Sequence, residues 1–168
     1  MREITDEILG CAKKVTLLLM DCDGVLTDGR LYYSEKGEEL KVFHVRDGQG
    51  IVMWHAAGFE TGIITGRNSP IVEKRATELG MRYVKTGSKN KENDFAEILQ
   101  SAGVGLDQIA YVGDDIPDII LMKKVGFPIT VNDGSDDLLP FAKFVTNKNG
   151  GFGAIREVIE LLMTAKSS

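Results

Sequence analysis

The chain is read as an α/β protein, a three-layer doubly wound parallel sheet, on three observations. Apolar, charge-free runs of strand length recur at residues 17–20, 61–65, 109–112 and 129–131. Such runs mark strands buried on both faces. Segments of helical periodicity stand between them, and that alternation builds right-handed βαβ units with helices on both faces. The runs also end in chemistry-bearing residues: Asp21 and Asp23, then Thr65, Gly66 and Arg67, then Asp114 and Asp115. Open parallel sheets bind their ligands at these carboxyl ends.

Residues 1–14 hold Ile4, Ile8, Cys11 and Ala12 at helical spacing and read as an amphipathic lead-in. The opening strand is expected over about 15–20. Side chains alternate on an extended chain, so Asp21 and Asp23 leave on one side and Cys22 on the other. Cys22 is therefore read as a core thiol. Gly24 permits a sharp turn. Two β-rich runs, 31–33 and 40–45, flank a polar segment and read as a projecting hairpin. A free two-stranded ribbon is marginal alone, so hairpin 31–45 is expected to pack against something, a second subunit being one option.

A helix is expected over 47–57 with Gly58 as its stop. After the strand at 61–65, Ser69 and Pro70 open a helix that closes at Gly80, with Ser as cap and Pro at the first helical position. A strand at 82–84, a helix at 91–101, a strand at 109–112 and a helix at 117–124 follow. Strands at 129–131 and 143–146, a Gly-rich link at 150–153 and a helix at 154–163 complete the chain.

The 168 residues read as one domain, 1–168, with room for a core. A net charge of −5 and no basic cluster argue against nucleic acid as a partner. No apolar run reaches the length of a membrane span, and no signal-peptide core is present. Two cysteines make no disulfide framework, so the expected setting is the reducing cytoplasm.

Two carboxylates aimed at one point repel each other and call for a cation. Hard oxygens of this kind suit Mg²⁺, which keeps positions for water and phosphate oxygens. Asp21-Cys22-Asp23-Gly24-Val25, Thr65 at a strand end, a lysine within 89–91 and Gly113-Asp114-Asp115-Ile116-Pro117-Asp118 stand in this order. Together they resemble the four motifs of the haloacid dehalogenase-like phosphatases, over nearly the whole chain. Gly24-Val25-Leu26-Thr27-Asp28-Gly29, Val45-Arg46-Asp47-Gly48, Ile63-Ile64-Thr65-Gly66-Arg67 and Gly150-Gly151-Phe152-Gly153 are similar to a cap-less, tetrameric branch of that family. That branch removes phosphate from an eight-carbon sugar acid in lipopolysaccharide sugar synthesis. The gaps between Asp23, Thr65 and Lys91 have no space for a cap domain.

The resemblance implies an aspartyl-phosphate mechanism. Asp21 is the nucleophile and Asp23 the acid and base, and Thr65 and Lys91 hold the phosphoryl oxygens, with Lys89 as the alternate lysine. Mg²⁺ is held by Asp21, the Asp23 carbonyl and Asp114, with Asp115 or Asp118 as supporting acids. The substrate, a small phosphorylated sugar acid, would meet Asp23, His44, Val45, Arg46, Asp47, Gly48, Arg67, Arg75 and Lys91. A homotetramer assembled through hairpin 31–45 would close the site. Val52 departs from an arginine common in this branch, and His44 from an asparagine.

Each residue has a plainer reading. Thr65 suits a strand, Lys91 a solvated helix start, and Asp115 and Asp118 a helix N-terminus. Arg75 can pair with Glu78 on its own helix. A nine-carbon sugar acid 9-phosphate or another sugar phosphate is the rival substrate. A phospho-accepting receiver domain and an idle assembly domain are the rivals outside hydrolysis. Asp23 speaks against the receiver, because a proton carrier two residues after the nucleophile speeds turnover, and the intact acidic set speaks against the idle domain.

Overall fold

A computed structural model describes residues 4–37 and 39–167. Thr5 caps helix α1 (Asp6–Lys14), and strand β1 (Leu17–Met20) follows. The lead-in is thus shorter than expected, and residues 1–3 of it lie outside the described residues. Short strands β2 (Tyr32–Tyr33) and β3 (Glu39–Leu40) form an antiparallel ribbon. Helix α2 (Val45–Ala56), β4 (Glu60–Ile64), α3 (Pro70–Leu79), β5 (Tyr83–Lys85) and α4 (Lys91–Ala102) come next. Then follow β6 (Ile109–Gly113), α5 (Ile119–Met122), β7 (Phe127–Thr130), β8 (Phe144–Val145) and α6 (Ala154–Ser167).

The six long-range strands make one parallel sheet in the order β5-β4-β1-β6-β7-β8. Alternation along β1 fills both faces. Leu18 and Met20 enter a core with Ile51, Trp54, Val158 and Leu162, while Leu17 and Leu19 enter one with Phe95, Ile98, Tyr111 and Leu121. Three layers result, as the periodicity predicts, and no cap domain is inserted among the described residues. No helix among the described residues is long and apolar enough to cross a membrane.

Register places the site. Met20 lies opposite Ile63 of β4 and Val112 of β6, so three strands end level with one another. Asp21, Thr65 and Asp114 therefore emerge at one rim, and the Asp21 N–H still donates to the Val112 carbonyl at 3.0 Å.

Four local expectations are corrected. The hairpin pairs only Tyr32 with Leu40 and Tyr33 with Glu39, not the longer runs. Residues beyond Leu40 leave the ribbon because Lys41 bonds Asp23 and the His44 ring caps α2, whose start moves back to Val45. The segment expected as a helix at 117–124 opens as a 3-10 turn, Ile116–Asp118, under the Asp115 carboxylate. Ser69 precedes α3 as expected but gives no side-chain cap bond, so Pro70 and the backbone carry that start.

The Gly-rich link folds against its own chain. Gly151 N–H donates to the Val25 carbonyl at 2.9 Å. A Cβ on Gly150 would lie 1.7 Å from the Gly24 carbonyl oxygen, so no other residue fits there.

Candidate active site

An open cleft of about 660 Å³ sits at the rim, lined among others by Asp21, Asp23, Thr65, Arg67, Lys91 and Asp114. That volume suits a small-molecule site. Asp21, Asp114 and Asp118 each place an oxygen within 4.8 Å of the others. Asp118 is fully buried and accepts four bonds. Lys91 Nζ at 2.7 Å and the Tyr111 hydroxyl at 2.6 Å reach Oδ1, and the Asp114 and Asp115 amides reach Oδ2 at 3.0 and 3.2 Å. Its lone pairs are occupied, so it orients its neighbours rather than offering a free ligand atom.

Lys91, at the first position of α4 behind the Asn90 cap, is 8% exposed and donates to Asp21 Oδ2 at 2.7 Å. Burial opposes its charge, yet Asp21 and Asp118 together hold its pKa above the ordinary lysine value. One ammonium does not balance three carboxylates. Burial, then the charges of Asp21 and Asp118, push Asp114 up to about 8. Burial likewise raises Asp21, against the pull of Lys91. A divalent cation between Asp21 and Asp114 removes that repulsion, and these hard oxygens fit Mg²⁺. Gly24 lets Asp114 come this close, since a Cβ there would meet its Oδ2 at 2.0 Å.

The other half of the rim belongs to Asp23. Its Oδ1 accepts from Lys41 Nζ, and its Oδ2 lies 3.7 Å from Arg67 Nε. Glu39 sits 3.3 Å from Lys41 Nζ and 3.0 Å from Arg67 Nη2, and the Tyr33 hydroxyl accepts from the same Nη2 at 2.6 Å. The ribbon's Tyr33 and Glu39, with Lys41 one residue beyond it, thus supply three groups to the rim. Sequence reasoning missed them, although residues 39 and 41 two apart on a strand share one face. It also missed the Tyr111 hydroxyl, hidden in an apolar strand run.

The comparisons with known proteins agree with this geometry. Residues 45–126 match the haloacid dehalogenase-like hydrolase family model. The chain is 41% identical to the 3-deoxy-D-manno-octulosonate 8-phosphate phosphatase KdsC of Escherichia coli K12, over 97% of this chain and 87% of that one. The chain belongs to the haloacid dehalogenase-like hydrolases. Among solved structures it is similar to the phosphatase of that name from Yersinia pestis, with TM-score 0.95, 40% identity, and 96% and 88% of the two chains covered. The Moraxella catarrhalis phosphatase, solved with magnesium ion, phosphate ion and KDO, superposes with TM-score 0.94 at 38% identity, covering 97% and 94%.

Within this hydrolase the remaining sequence candidates fall in two groups. Lys89 and Asp115 line the same cleft as Asp21, and Asp115 caps the turn after β6. His44, Asp47, Gly48 and Arg75 border a small separate cavity, and Arg46 lines another cleft of about 650 Å³ beside Phe152 and Arg156. Val45 is 80% exposed at the start of α2. Asp47 is buried and accepts from the Gly153 and Arg156 amides at 3.2 and 2.8 Å, tying α2 to the start of α6. Arg75 meets Glu78 at 3.4 Å and lies over the Phe43 ring. Within one chain, these residues do not join Asp21.

Proposed function

We propose that this hydrolase is a Mg²⁺-dependent phosphatase acting on 3-deoxy-D-manno-octulosonate 8-phosphate, releasing the sugar acid and phosphate for lipopolysaccharide synthesis. The observation that carries the reading is Asp21, bonded by Lys91 and facing Asp114, with Asp23 two residues on, in a chain 41% identical to KdsC. A carboxylate of Asp21 attacks phosphorus in line. The P–O bond to the sugar breaks, and the leaving oxygen takes the proton of Asp23. Asp23 then takes a proton from water as that water attacks phosphorus and frees Asp21. Lys91 and Thr65 hold the phosphoryl oxygens. Asp21, the Asp23 carbonyl and Asp114 would hold Mg²⁺, which would supply positive charge to screen the phosphate from the attacking carboxylate.

Assembly completes the recognition side. Leu31, Tyr33, Leu40, Val42 and Val45 are exposed apolar residues in or beside the hairpin, which supports a homotetramer formed through 31–45. His44, Val45, Arg46 and Arg75 would then meet a sugar in a neighbouring subunit's cleft, while the buried Asp47 and Gly48 hold the start of α2 in place. The free cysteines Cys11 and Cys22 support a cytoplasmic setting.

The test is phosphate release from eight- and nine-carbon sugar acid phosphates, with and without Mg²⁺. The eight-carbon ester should turn over fastest, and Asp21→Asn should abolish turnover. Preference for the nine-carbon ester would overturn the substrate, and an active Asp21→Asn variant would overturn the mechanism.

A further inference from the structure

Lys41 is a buried charge outside the four family motifs. Its side chain is 2% exposed although it stands one residue beyond the projecting ribbon. Its ammonium is held between Asp23 Oδ1 and Glu39 Oε1. Burying a charge costs free energy unless partners repay it, and leaving a lysine at the surface costs none. Asp23 Oδ2 and Arg67 Nε are buried atoms without a hydrogen-bond partner, and they face each other across 3.7 Å. Both residues line the cleft. A planar carboxylate gripped at one oxygen presents the other in a fixed direction, here towards Arg67 Nε on the wall of the cleft.

We propose that Lys41 is a positioning residue for proton transfer. It pins Asp23 Oδ1, so that Oδ2 is the oxygen that gives its proton to the leaving oxygen as the P–O bond breaks. Glu39 anchors Lys41 and, through the same carboxylate, Arg67. The ribbon therefore sets the geometry of the acid as well as offering a surface. This rests on the reading of Asp23 as proton carrier, and the experiment separates the two.

Phenyl phosphate and 4-nitrophenyl phosphate differ in how much their leaving groups need a proton. A misplaced acid harms the first more than the second, whereas a generally damaged site harms both alike. Lys41→Met should lower kcat on phenyl phosphate about tenfold more than on 4-nitrophenyl phosphate, with KM nearly unchanged, within the range that a positioned acid contributes. Lys41→Arg should restore part of the difference. Glu39→Gln, which keeps Lys41 but removes its anchor, should show a smaller bias of the same sign, and serves if Lys41→Met does not fold. Asp23→Asn is the reference and should show the full bias. Absence of bias in Asp23→Asn overturns the reading of Asp23, and this proposal with it. Bias in Asp23→Asn but none in the Lys41 and Glu39 variants overturns this proposal alone.

Discussion

Gly24→Ala tests whether backbone shape alone sustains the acidic site. Gly24 has φ of +85°, where an L side chain is strained, at a cost of roughly 1–2 kcal/mol. The larger effect is steric. The added Cβ would lie 2.0 Å from Asp114 Oδ2 and 2.5 Å from its Cγ, whereas real Cβ contacts stay above 3.0 Å. Asp114 must retreat by at least about 1 Å. A misplacement of about 1 Å in a reacting constellation costs on the order of 100-fold in rate. The variant should keep its fold, lose about 100-fold in kcat and need more Mg²⁺ for half-maximal rate, since the moved carboxylate is a metal candidate. Steady-state phosphate release across a Mg²⁺ titration reads both, and urea unfolding checks the fold. Gly10→Ala is the control: nothing lies within 4 Å of its Cβ on α1, so it should gain about 1 kcal/mol of stability and leave the rate alone. A Gly24→Ala enzyme within about threefold of the parent, at the same Mg²⁺ requirement, would refute the reasoning from close approach.

Other perturbations follow from the same contacts. Asp118→Asn leaves one acceptor oxygen for four donors, so either Lys91 and Tyr111 or the two amides face an NH₂ group. It should lose about 2–5 kcal/mol in urea unfolding along with a large part of kcat. Asp47→Ala strands the Gly153 and Arg156 amides at the start of α6, and should lower stability by about 1–3 kcal/mol in the same assay. The raised pKa of Asp114 has a definite sign: the folded state, with its value of about 8 against 3.8, binds more protons than the unfolded state between those limits. In chelator, this residue's contribution to stability is greatest below about pH 4 and falls as pH rises towards 8. Asp114→Asn should remove that component from the parent's curve in thermal melts, and Mg²⁺ should raise the parent's melting temperature most at the alkaline end.

The sheet was legible because a strand buried on both faces leaves an apolar run without charge, and its end is marked when the chain turns acidic. Asp21 and Asp114 could be placed at one rim from that alone, since parallel neighbours of equal length end together. Their neighbours were harder. Asp118 reads as a helix-start acid, and its bonds to Lys91 and Tyr111 depend on how the turn after β6 is wound. Lys41 reads as a strand charge open to water. Its burial depends on the chain folding back on residues 18 positions earlier, which no local pattern records. The hairpin was placed correctly but drawn too long, because the aromatic and β-branched composition of 40–45 continues after the pairing stops.

The two halves of the cleft are built differently, and this bears on how specificity is set. The phosphate half lies on strand ends packed from below. Asp21 and Lys91 are 15% and 8% exposed, and the Gly150–Gly151 backbone presses against the turn after Asp23. A substitution there disturbs several buried bonds at once, so the chemistry tolerates little change. The other half begins at Arg67, 40% exposed, bonded to the ribbon groups Tyr33 and Glu39 and 3.7 Å from Asp23 Oδ2. The departures at Val52 and His44 both lie on or next to α2, outside the buried network, where a side chain can change without moving Asp21. A change of sugar preference is thus cheap in stability and a change of reaction is not. Replacing Val52 with arginine should therefore alter the ratio of kcat/KM between eight- and nine-carbon esters, while the unfolding free energy from urea melts stays within about 0.5 kcal/mol of the parent's, as is usual for surface substitutions. A large shift in the urea midpoint with no shift in that ratio would place Val52 in the fold rather than in recognition.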